Sequence, residues 1–202
     1  MENGIIYPVT KFIIEKLNKV NLVELFKFFA KKAGKGKSKE KAYLRLSVDI
    51  FIILKWLFLI LIWCFNVANI YITVIVWYLI ITNVYTYFYH HIWCDDSFDS
   101  SKFDIDRVRR RFVSLLLAFA YSNLCFAYLY FLPYVKGMNW GINNMPASSL
   151  HSLWFSMSNS VAANYAVVAP FNGIGNAVAM VQLVITFLFV TIIISRSIPQ
   201  SN

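Results

Sequence analysis

Four long apolar runs divide the chain, and polar or basic stretches separate them. The first runs from about Val48 to Phe65 and contains "IFIILKWLFLILIWCF", interrupted by Lys55. The second runs from about Ala68 to Trp93 and ends in "YTYFYHHIW", an aromatic belt of the type found at membrane–water boundaries. The third covers about Phe112 to Val135 and the fourth about Asn176 to Arg196. Each is long enough to cross roughly 30 Å of hydrocarbon as a helix. The pattern therefore predicts an all-α membrane protein with four transmembrane helices.

The connection between the third and fourth runs, Lys136 to Gly175, reads differently. Pro146 and Pro170 punctuate it, with Pro133 just before it, and so do Gly137, Gly141, Gly173 and Gly175. Pro146 followed by Ser148 and Ser149 is helix-start chemistry, and a short helix is expected over about Ser149 to Ser160. Such a helix is too short to span. A non-helical stretch follows it to Pro170, and Ser156, Ser158, Asn159, Ser160 and Asn164 make the region polar. Irregular backbone sits at membrane depth only where protein buries it or where it lines a wet cavity. A re-entrant loop meets that condition; an outer loop folded over the bundle is the alternative.

The N-terminal stretch "VTKFIIEKLNKVNLVELFKFFAKK" places Ile13, Leu17, Val20 and Leu25 at helical spacing among Lys16, Lys19, Glu24 and Lys27. It reads as one amphipathic helix, lying on the inner leaflet or packed beneath the bundle. "KKAGKGKSKEK" then reads as a solvated linker able to touch anionic lipid. The expected organisation is a basic segment over 1–46, two accessory spans over 47–93, a basic cytoplasmic loop over 94–111 and a final module over 112–202.

Composition agrees with a membrane protein: 59% of the 202 residues are hydrophobic and 14% charged, against about 25% charged in soluble domains. No secretory signal is visible at the start, where Lys and Glu mix with apolar residues. Charge sets the expected orientation. Residues 1–46 hold eleven Lys/Arg, the 94–111 loop holds Lys102, Arg107, Arg109, Arg110 and Arg111, and the long third connection holds Lys136. By the positive-inside rule both termini lie in the cytoplasm, with the cell membrane as the expected location. The same asymmetry accounts for most of the net charge of +9, so nucleic acid is not an expected partner.

Little else points to chemistry. Cys64, Cys94 and Cys125 are scattered and imply no disulfide framework. "HHIWCDD" offers zinc-type ligands in His90, His91, Cys94, Asp95 and Asp96, but adjacent histidines on a helix point apart. "RVRRR" over 107–111 lacks the every-third-residue spacing of a voltage sensor and reads as cytoplasmic anchoring. Lys55 is expected to snorkel toward the inner boundary. No nucleophile–base pair or phosphate-binding glycine loop is present, so neither an enzyme nor a bound cofactor or metal is expected.

Residues 153–170 resemble the pore loop of the tetrameric potassium-channel superfamily. Members of its two-span pore module carry a stretch like L-Y-F-S-F-V-T-L-T-T-V-G-Y-G-D-I-x-P. Here Leu153, Trp154, Phe155 and Ser156, then Tyr165, Val168 and Pro170, fall in one ungapped register. Ile174-Gly175-Asn176 matches the family's L-G-R, Ala179-Met180-Val181-Gln182 its A-M-L-E/Q, and Ile194-Ser195-Arg196 its I-S/A-R. The resemblance covers about residues 112–198 and implies a re-entrant pore helix, a filter-like loop and a homotetramer. It places Ser160, Val161, Ala162, Ala163, Asn164, Tyr165, Ala166 and Val167 at the filter, and Met180 and Thr186 on the inner pore helix. Thr186 stands where many relatives have glycine.

The departures bear on selectivity. The family's T-V-G-Y-G-D falls on Ala162 to Val167, and Tyr165 alone is retained. A potassium filter needs stacked backbone carbonyls and a threonine hydroxyl, and its glycines take conformations that side chains disfavour. Ala162 lacks the hydroxyl and Ala166 the freedom. From Arg107 to Asn202 there is no acidic residue, so any pathway there is neutral to mildly positive. The expectation is an ion-channel subunit with a poorly selective filter, permeant inorganic ions and the bilayer as partners. A non-conducting scaffold or regulatory subunit is the alternative, and an anion-permeable pore the third reading.

Overall fold

A computed structural model of the chain describes residues 6–34, 40–93, 105–135, 142–143, 148–163, 165, 169–170 and 173–197. The fold is all-helical: α1 (Ile6–Val20), α2 (Leu22–Gly34), α3 (Glu40–Cys64), α4 (Ile70–Phe88), α5 (Ile105–Val135), α6 (Ser149–Ser160) and α7 (Gly173–Ser197). A π-helical turn, Tyr89–Trp93, continues α4. One two-residue antiparallel bridge joins β1 (Ile142–Asn143) to β2 (Ala169–Pro170), pairing Ile142 with Pro170 and Asn143 with Ala169. Among the described residues, four helices are long and apolar enough to cross a membrane: Ala42–Cys64, Ile70–Phe88, Phe112–Pro133 and Gly173–Ile193.

Three boundaries differ from the sequence reading. The N-terminal segment is two helices rather than one. Asn21 divides them: its side-chain Oδ1 accepts from the Val23 N–H at 3.1 Å and its carbonyl from Glu24 N–H at 3.0 Å. Asparagine competes well for such caps, and that competition outweighs the continuous amphipathic pattern. Residues 105–111 are not loop but the start of α5, so the arginines lie on its first two turns. The helix of the first span begins earlier, at Glu40, because nothing in "EKAYLRLS" breaks a helix.

The chain forms two compact units, 1–58 and 59–202, and α3 crosses from one to the other. In the first unit Phe26 of α2 meets Phe51 of α3 edge to face at 5.3 Å. Lys55 is 7% exposed, so protein covers it and it does not snorkel along an open face.

The second unit opens with a tight hairpin built by two asparagines. Asn66, at φ 50°, is the left-handed residue that ends α3: its N–H bonds Trp63 O at 3.1 Å and Val67 N–H bonds Ile62 O at 2.9 Å. This is a Schellman cap, and Asn is among the few non-glycine residues that adopt it readily. Asn69 then caps α4, its Oδ1 accepting from Ile72 N–H at 2.9 Å. The Tyr128 hydroxyl of α5 donates to Val67 O at 3.1 Å and ties the turn to the core. Trp63 stacks on Phe131, 5.9 Å between centroids.

α5 is the centre of this unit. Cys125 to Leu132 are buried without interruption, as expected of a helix enclosed on all sides. Asn83 of α4 donates to Ala118 O at 2.9 Å and Ser122 Oγ at 3.0 Å, so the α4–α5 contact has a polar rivet. Phe189 of α7 contacts Phe119 of α5 and Tyr87 of α4.

Candidate functional site

The densest polar chemistry in the second unit lies where α6 packs against α5 and α7. Gln182, 1% exposed and midway along α7, is its hub. Its Nε2 lies 3.0 Å from Asn123 Oδ1, 2.8 Å from Ser156 O and 2.8 Å from Ser156 Oγ. Its Oε1 accepts from the Tyr130 hydroxyl at 2.7 Å and from Asn159 Nδ2 at 2.9 Å. Asn159 also donates to Ala179 O, Ser156 Oγ to Asn123 O, and Asn123 Nδ2 to Phe119 O. The amide orientation follows from the partners: turned over, the Gln182 NH₂ would face that of Asn159. Every member has a partner, as a polar group in an apolar bundle requires.

The sequence of α6 dictates this arrangement. Ser152, Ser156 and Ser160 recur every four residues and form one buried face with Phe155. Leu150, Trp154, Met157 and Val161 form the opposite, exposed stripe. The helix is thus polar inward and apolar outward, the reverse of a helix on a water-soluble domain. Ser152 and Ser160 bond back to the carbonyls of Ser149 and Met157. Ser148 holds the N-cap backbone position, with φ −120° and ψ 120°, and makes no side-chain capping bond.

The end of α6 is a second Schellman cap. Ala162 N–H bonds Asn159 O at 3.0 Å and Ala163 N–H bonds Ser158 O at 2.8 Å, with Ala162 at φ 55°. A side chain in this conformation costs about 1 kcal/mol relative to glycine. Ala162→Gly is therefore expected to stabilise the protein by about 0.5–1 kcal/mol. Thermal unfolding in detergent measures this, and a lowered midpoint would contradict the left-handed assignment. Beyond the cap the chain runs back beside α6, because Tyr165 Oη reaches His151 Nδ1, in the first turn of the helix, at 2.8 Å. The β1–β2 bridge closes the segment, bringing residues 142–143 beside 169–170.

The residues expected at a filter therefore separate. Ser160 is buried in α6, Val161 is the exposed C-cap, Ala162 and Ala163 form the turn, and Tyr165 is held to His151. Asn164, Ala166 and Val167 lie outside the described residues. Met180 and Thr186 do not share a face of α7: Met180 is 61% exposed and Thr186 8%. Six residues of helix turn one about 120° from the other. Thr186 belongs to the packed face of α7 and Met180 to its exposed face.

Sequence reading passed over Asn123, Asn159 and Tyr130 as interaction partners and met Gln182 merely as a motif match. The available signal was an amide near the middle of each of two apolar runs, opposite a helix with serine at every fourth position. No protein-family model, no curated protein and no solved structure matches the chain.

Proposed function

We propose that this chain is a subunit of a tetrameric membrane channel whose pore loop is residues 149–170, with both termini cytoplasmic. The observation that carries the reading is that the β1–β2 bridge brackets a short helix. That helix, twelve residues and about 18 Å long, packs against α5 and α7 and is capped at Ala162, and the bridge brings residues 142–143 beside 169–170. This arrangement supports a re-entrant loop. One such loop per chain calls for several chains around an axis, and closed symmetry with the resemblance selects four. Neighbouring copies then cover the stripe of Leu150, Trp154, Met157 and Val161, and the loop beyond Ala163 faces the axis.

The filter in this proposal is not of the potassium type, since alanine replaces the threonine and one glycine position. The native mass of the complex in nanodiscs tests the assembly. Four chains are expected; a monomer would overturn the pore assignment.

A second reading, a non-conducting subunit that keeps the channel architecture, is favoured by a separate observation. Ser156, Asn159 and Gln182 spend their polar groups on one another, and Ser152 on the Ser149 carbonyl, inside the chain. Conduction must then rely on the backbone and side chains beyond Ala163.

A further inference from the structure

α1 carries its apolar residues on the wrong side for packing. Ile6, Val9, Ile13, Leu17 and Val20 fall within an arc of about 80° around the helix. All five are exposed, from 50% at Leu17 to 83% at Ile6. The buried residue of α1 is Ile14, outside that arc. The contact that α1 makes with protein thus leaves its stripe open. Lys16 borders the stripe, with its ammonium 5.3 Å from the Phe12 ring centroid, and Lys11 and Lys19 lie on the polar side. Against these three lysines α1 holds one acidic residue, Glu15.

α2 likewise exposes Leu25, Phe28 and Phe29, and Lys31 and Lys32 close the helix. Phe26, about 100° around the helix from Leu25, meets Phe51 of α3. Phe51 follows the last acidic residue of α3, Asp49, by two positions and lies within the first spanning helix, Ala42–Cys64. The α1–α2 pair is therefore tied to a helix long and apolar enough to cross a membrane.

We propose that α1 is an interfacial helix that binds the anionic face of the bilayer. Its stripe beds into the headgroup–acyl boundary, Lys16 beside the stripe and Lys19 meet lipid phosphates, and Lys11, paired with Glu15 on the far side, adds to the positive field. An amphipathic helix of this kind gains from buried apolar area and from attraction to anionic lipid together. The occupant is the bilayer, because the helix is basic, its apolar stripe is long and narrow, and α2, the next helix, packs on a membrane-spanning one. The inference is independent of conduction.

The test uses the full chain in nanodiscs of phosphatidylcholine alone and of phosphatidylcholine mixed with phosphatidylglycerol. Amide hydrogen exchange of α1 peptides is followed by mass spectrometry, with α5 and α7 peptides as internal reference. Exchange of α1 is expected to slow by roughly tenfold or more in the anionic discs and to recover at high salt. The Lys11→Gln, Lys16→Gln, Lys19→Gln triple variant should lose that lipid dependence. Ile13→Asp should lose protection in both lipids while α5 and α7 remain unchanged. Equal protection of the unaltered protein in the two lipids would mean that α1 is covered by protein, and would overturn the proposal. Fast exchange in both would overturn it as well.

Discussion

Gln182→Leu is expected to destabilise the protein by about 2–3 kcal/mol, although leucine is as large and better suited to lipid. The amide has two acceptor sites used by Tyr130 and Asn159 and two hydrogens shared among Asn123 Oδ1 and Ser156. Interhelical hydrogen bonds in membranes average about 0.6 kcal/mol each. Removing the hub also strands its partners, which have no water to turn to. The measurement is unfolding in mixed micelles, with Met180→Leu on the exposed face of α7 as control. That control should move stability by less than about 0.5 kcal/mol. Asn123→Leu should couple to Gln182→Leu, so that the double variant loses less than the two singles added. Independent, additive losses would mean the network is not a unit.

Phe189→Ala is expected to cost about 3 kcal/mol by a different mechanism. The ring is fully buried, 6.0 Å from Phe119 and 6.2 Å from Tyr87 between centroids, and it binds α7 to both α5 and α4. In a bilayer little is gained by removing the ring from water, so the loss is mostly that of the cavity and its contacts. This puts the estimate at the lower end of the range known for such truncations. Phe189 lies about 10 Å along α7 from Gln182, so the two losses should add within about 0.5 kcal/mol. The same micelle titration reads both. A Phe189→Ala loss below about 1 kcal/mol would mean that α7 is not held by this contact.

Length and apolarity made the four spanning helices legible, because a run of twenty apolar residues has few other uses. α6 was equally legible, from Ser149 to Ser160, since proline and serine punctuate its start and its length is set before the return to Pro170. What stayed hidden is what a linear pattern does not encode. Asn21 looks like a tolerable residue in an amphipathic helix until its side chain captures the Val23 N–H and ends the helix. Asn66 and Asn69 build the α3–α4 hairpin by opposite means, one through a left-handed backbone and one through a side-chain cap. Ala162 gives no sign of a positive φ, because glycine is the residue that announces one. Gln182 bonds residues 23 to 59 positions away, and the spacing of polar residues within each run does not reveal their partners. The filter-like residues were located by resemblance, and the two inner-helix residues taken from it sit on different faces of α7. Such matches identify positions along a chain without fixing which way a helix is turned.

The central claim is that four copies of this chain form a pore around residues 149–170 without a potassium-type filter. Reversal potentials of the purified protein in planar bilayers, under a potassium/sodium gradient, test it most directly. The account predicts currents carried by both cations with a reversal potential near zero, because Ala162 supplies no hydroxyl and the glycine pair is absent. A reversal potential at the potassium equilibrium value would contradict the steric argument, and silent bilayers from an intact tetramer would establish the non-conducting reading in its place.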